Sequence, residues 1–172
     1  MKTRPSIPLI AFHIALVMTT GVAIAAGPAL PASLLAQKAP AGAVSVVKAR
    51  ETAKPGEPIV IRGRIGGRET ALLPKAAIAV IADEKAITPC NAIPGDSCPK
   101  PWDYCCESAE KLKVSTATIQ VRGEDGKVLR APLRGIGGLK ELSTVVISGT
   151  VDASSNKDVL VINATSVHVE KP

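Results

Sequence analysis

From position 44 onward the hydrophobic residues fall in short runs, and most of these runs alternate. Residues 59–65, IVIRGRI, place Ile59, Ile61 and Ile65 on one face and Val60, Arg62 and Arg64 on the other. That two-residue period is the signature of a half-buried strand. Gly63 falls on the apolar face, where a glycine permits a bulge or a tight coil. Residues 76–82, AAIAVIA, form a nearly continuous apolar run, short enough for a buried strand. Residues 116–121 alternate again, with Ala117, Ile119 and Val121 inward and Thr118, Gln120 and Arg122 outward. Residues 144–151 and 159–169 complete the set. Val145, Ile147 and Val151 are the expected core of the first, and Leu160, Ile162, Ala164, Val167 and Val169 that of the second. Residues 44–48 read as a first short strand. Residues 128–133 read as a return strand after the Asp125-Gly126 turn, a dipeptide that tolerates the positive φ of a tight hairpin. Helical turns are predicted at 107–113 and 139–142.

The breaks between runs carry turn chemistry. They are Lys54-Pro-Gly-Glu57, Gly66-Gly67, the stretch from Gly135 to Gly138, and the polar residues 152–158. Five or six strands with short polar connections and one long insertion predict a small all-β barrel, closed or half-closed, over residues 44–170, with a β-sandwich of the same length as the alternative. With one Phe, one Trp and one Tyr in the chain, its core must be aliphatic.

Two segments precede the barrel. Residues 1–25 read as an export signal: Lys2 and Arg4 form a positive start, an apolar run follows, and Ala23-Ile24-Ala25 supplies small residues for cleavage. An uncleaved anchor is the competing reading, since the run approaches the roughly 20 residues a bilayer requires. Residues 26–43 are rich in Ala and Pro and read as a mobile spacer with no packed core, with a short helical turn at 33–37. The expected location is the periplasm or the extracellular medium, with no membrane span after cleavage. The chain carries 21 Lys and Arg against 15 Asp and Glu. Removing Lys2 and Arg4 with the leader leaves 19 against 15, a balance of +4. So mild an excess gives only a weak preference for anionic partners.

The strand order and spacing resemble the OB-fold. PIVIRGRI is similar to its first long curved strand, and LSTVVISGTV followed by VLVINATSVHV to its closing pair. The resemblance implies binding of an oligonucleotide or a sugar across one barrel face. No predicted strand carries an aromatic for base stacking, however, and stacking is worth roughly 1–3 kcal/mol per base. Arg62, Arg64, Arg122 and Arg130 are the candidates for a basic face. They could hold phosphates, but the missing stacking partners and the export signal argue against nucleic acid, and a solvated barrel face is the plainer reading.

The candidate chemistry is concentrated in residues 88–107. Cys90, Cys98, Cys105 and Cys106 are the only cysteines, and Trp102 and Tyr104 lie among them. In an exported protein, four cysteines at this spacing imply two disulfides. A vicinal Cys105–Cys106 bridge would be strained, so Cys90 and Cys98 each pair with one of those two, in either order. The alternative is a zinc or copper site made of the four thiolates. Intervals of seven, six and zero residues differ from the C-x₂-C rhythm of structural zinc, and adjacent cysteines seldom share one ion comfortably. Redox catalysis lacks its C-x-x-C arrangement. The run from Pro94 to Glu107, PGDSCPKPWDYCCE, resembles a signature of exported bacterial proteins with no assigned activity.

Elsewhere no nucleophile or acid–base pair is signalled, and His168 is the only histidine after the leader. The expectation is a non-enzymatic exported module that needs no cofactor and presents a disulfide-clamped loop to an envelope protein or an anionic polymer. Trp102, Tyr104 and Asp103 are the candidate contacts.

Overall fold

The computed structural model describes residues 29–171. The predicted export signal, residues 1–25, lies outside the described residues. In chain order the strands are β1 (Val44–Ser45), β2 (Pro58–Ile65), β3 (Ile78–Ala82), β4 (Thr116–Gln120), β5 (Thr144–Val151) and β6 (Val161–Val169). Two helices, α1 (Val46–Thr52) and α2 (Ala109–Ser115), interrupt them.

The barrel closes through β2. Seven of its eight residues pair antiparallel with β5, from Pro58↔Thr150 to Arg64↔Thr144. Its opposite edge is shared: β1 takes Ile61 and Arg62, and β3 takes Arg64 and Ile65. The ring then runs β3, β4, β6, β5 and back to β2, with β4 and β6 parallel. This ring is the small OB-like barrel expected from the succession of strands and turns. Gly63 sits where the edge passes from one partner to the next. A Cβ there would stand 2.9 Å from the Ala82 carbonyl oxygen. β2 passes Gly63 without a register shift; the bulge lies instead in β6, where Thr165 is the extra residue opposite Ser148/Gly149 of β5.

The core is aliphatic, as the composition requires. Ile61, Ile65, Ile119, Ile147 and Ile162 are among its largest fully buried side chains. Each was legible as an inward position, because alternation in a half-buried strand reports its facing directly.

Four local expectations change. Residues 46–48 are helical rather than extended. The Ser45 hydroxyl accepts from the Lys48 N–H at 3.3 Å and caps α1, and Val46 and Ala49 bury the helix face. Residues 128–133 form no strand; their link to β4's end is the single bridge Arg122↔Val128, and Leu133 reaches the core from a loop. The helical turn expected at 139–142 falls at Ile136–Gly138. The described part of the expected spacer is seated on the barrel. Leu34 is buried, and the Ala36 N–H donates to the Val167 carbonyl at 2.9 Å. Among the described residues, no helix is long and apolar enough to cross a membrane.

Gln120 was expected to face solvent but is buried beside Asp152. The Asp152 carboxylate accepts from the Ser154 hydroxyl (2.6 Å) and N–H (2.9 Å), from the Asn163 amide (2.8 Å) and from the Arg122 guanidinium (2.9 Å). These bonds, those from Ser154 foremost, hold its pKa at about 2 against an ordinary 3.8. The unfolded chain therefore takes up this proton first. Unfolding free energy should fall as pH drops from about 4 towards about 2. Urea unfolding across that range checks this, and Asp152→Asn should flatten the slope. An unchanged slope in the variant would contradict the assignment.

Candidate functional site: a cysteine loop seated on the barrel end

Residues 83–115, between β3 and β4, leave and rejoin the barrel at one end, because Ala82 pairs with Thr116. Asp83 fixes the root of this insertion. Its carboxylate accepts from the N–H groups of Lys85 (3.0 Å), Ala86 (3.1 Å) and, across the chain, Val47 (2.9 Å). Burial pushes its pKa up, but these donors together bring it below the ordinary value. Beyond the root, Pro89, Pro94, Pro99 and Pro101 exclude a regular helix. The backbone makes two short 3₁₀ turns instead, Cys90–Ala92 and Pro101–Asp103.

Tyr104 anchors the loop. Its φ of 58° is left-handed, a conformation uncommon outside glycine. The ring is fully buried with Ala82, Ile87 and the side of Leu112. It lies against Gly66, where a Cβ would stand 2.7 Å from the ring's Cε2. The hydroxyl makes no hydrogen bond. Burial raises its pKa to about 12, with the nearby Arg64 cation acting in the opposite sense. Tyr104 was expected as a candidate partner contact; the structure makes it a plug. Trp102 is half-buried. Its indole N–H donates to the Glu69 carbonyl at 2.9 Å, and its own carbonyl accepts from the Gly67 N–H at 2.8 Å. Asp103 holds the loop's own turn, accepting from the Cys105 N–H at 2.9 Å.

The four cysteines converge and are unbridged. The Cys90 and Cys105 sulfurs are 3.5 Å apart, and those of Cys98 and Cys105 are 3.6 Å apart. The Cys106 thiol instead donates to Asp96 Oδ2 at 3.2 Å. Burial pushes the Cys90 thiol up, yet hydrogen bonds from Cys105, Cys106 and Cys98 bring its pKa below the ordinary value. Cys106 rises to about 11, chiefly because the Asp96 carboxylate accepts its proton. Hydrogen bonding to Cys90 and Cys98 raises Cys105. Cys90 is thus the buried hub, while Cys105 and Cys106 lie exposed at the rim.

The four arginines do not form one face. Arg62 and Arg64 lie at the loop end of the barrel, where Glu84 pairs with both and Glu170 with Arg62. Arg122 pairs with Asp152, which follows the far end of β5. Eight strand residues at about 3.3 Å each separate the two ends. Arg130 is exposed in the loop after β4.

A groove of about 840 Å³ opens between the cysteine loop and the barrel. Pro89, Asn91 and Trp102 form one wall; Arg64, Lys140 and Thr144 belong to the other. The Arg134–Glu141 ion pair closes one side. Of the first wall, sequence reasoning singled out Trp102 but not Pro89 or Asn91. It missed Lys140, Glu141 and Thr144, which reach the groove through the pairing of β5 with β2, and no local motif marks them.

Fold and site define a small closed β-barrel of OB-like topology, with a cysteine loop plugged onto one end. Comparison with protein-family models and with curated proteins found no match to this sequence.

Proposed function

We propose that this chain is an exported, non-enzymatic binding module whose ligand lies in the groove between the cysteine loop and the barrel. The groove itself carries the reading. Its volume of about 840 Å³ falls in the range of ligand sites. Trp102 supplies the rigid aromatic wall that commonly anchors a partner. Its indole N–H is already engaged by Glu69, which leaves the ring for apolar and stacking contact. Lys140 and Lys171 at the rim favour an anionic polymer or an acidic segment of an envelope protein. In an oxidising compartment the four cysteines would clamp the wall as disulfides. The spacing favours Cys98 with Cys105 and Cys90 with Cys106, because each of these pairs already lies within 4.8 Å. Each bridge would pass two protons and two electrons to a disulfide donor of that compartment.

Trp102 is the chain's only tryptophan, so its fluorescence reports the groove alone. Titration with acidic oligosaccharides and acidic peptides should shift that emission saturably for one class. Trp102→Ala, followed by calorimetry, should weaken the same binding at least about tenfold. Binding that is indifferent to Trp102→Ala would remove the groove from the account.

A further inference from the structure

We infer that Cys90, Cys98, Cys105 and Asp103 form a site for one zinc ion when the thiols are reduced. Their four ligand atoms all lie within 4.8 Å of one another. Two of the sulfur–sulfur edges measure 3.5 and 3.6 Å, and Asp103 Oδ1 stands 4.0 Å from the Cys90 sulfur. A tetrahedral zinc with bonds of about 2.3 Å to sulfur and about 2.1 Å to oxygen needs edges of about 3.8 and about 3.6 Å. Small rotations of the side chains reach those values.

The adjacency of Cys105 and Cys106 is no obstacle, because the two sulfurs serve different groups. Cys105 belongs with Cys90, Cys98 and Asp103, whereas Cys106 belongs with Cys90 and Asp96. The carboxylate is already oriented, since Asp103 Oδ1 accepts from the Cys105 N–H at 2.9 Å. Cys90 lies at the buried base and Cys105 at the exposed rim, so an ion has a path in. Binding breaks three S–H bonds, forms three Zn–S bonds and one Zn–O bond, and releases three protons to solvent; no electron is transferred. This inference concerns the thiol form and does not rest on the groove as a ligand site.

The test uses the protein as isolated, fully reduced, stripped with a chelator and titrated with zinc against a chromophoric competitor. Cobalt then replaces zinc for absorption spectroscopy. One equivalent of zinc and the intense visible bands of tetrahedral cobalt thiolate are expected. Cys98→Ser should lower zinc affinity at least about a hundredfold, and Cys106→Ser by no more than about threefold. Near-ultraviolet circular dichroism shows whether each variant keeps the loop seated. If Cys98→Ser does not, Asp103→Ala supplies the same test, with a loss of at least about tenfold. Absence of stoichiometric zinc, a weak octahedral cobalt spectrum, or equal losses in Cys98→Ser and Cys106→Ser would overturn the site.

Discussion

Tyr104→Ala should lower the unfolding free energy by about 3–5 kcal/mol, the cost of emptying a site filled by a large aromatic. The ring is the largest fully buried side chain of the molecule's described part and the centre of the small cluster that joins loop to barrel. Its neighbours there are Ala82, Ile87 and Leu112. Tyr104→Phe should leave stability unchanged or raise it, because the hydroxyl removed is buried without a hydrogen-bond partner. Urea denaturation measures both. The rate at which Cys90 reacts with a thiol reagent in the reduced protein gives a second readout. Cys90 is buried at the loop's base, so the alanine variant should expose it and the phenylalanine variant should not. Equal losses in the two variants would mean that the hydroxyl, rather than the ring, holds the loop.

Gly66→Ala should cost about 2–3 kcal/mol through overpacking. The new Cβ would stand 2.7 Å from Tyr104 Cε2 and 2.8 Å from the Trp102 carbonyl oxygen. The carbonyl is backbone and is tied to the Gly67 N–H, so it cannot swing aside. The two variants share one contact and should therefore be non-additive. In the Tyr104→Ala background, Gly66→Ala should cost less, because one of its two clashes is gone. Strict additivity in denaturation measurements would show that ring and glycine do not touch.

The barrel was readable because each strand buries one face. Period-two alternation therefore marks Ile61, Ile119, Ile147 and Ile162 without knowledge of their partners. Chain segments whose hydrophobic residues are buried by non-repeating structure were read less well. Val46 and Ala49 fit a strand or a helix equally, and the Ser45 cap decided for the helix. Leu133 and Leu34 enter the core from segments with no period at all. The cysteine loop was legible as a feature because its chemistry is local. The roles of its two aromatics were not. Facing at Tyr104 depends on a left-handed backbone turn and on Gly66, 38 positions earlier in the chain, neither of which alternation encodes. The arginine stripe failed for a similar reason: Arg62 and Arg122 share an outward sense but lie at opposite ends of the barrel.

Tyr104 plugs the cysteine loop into the end of the barrel. The chain has a single tyrosine, so its ionisation can be followed directly by ultraviolet absorbance. Burial raises the folded-state pKa to about 12 from an ordinary 10. The unfolded chain releases this proton first, so stability should hold below about pH 10 and fall as pH rises from about 10 towards about 12. A tyrosinate midpoint near 12, or one that coincides with alkaline unfolding, is the result the account predicts. A reversible midpoint near 10 in the folded protein would place Tyr104 in solvent and leave the groove without its fixed wall.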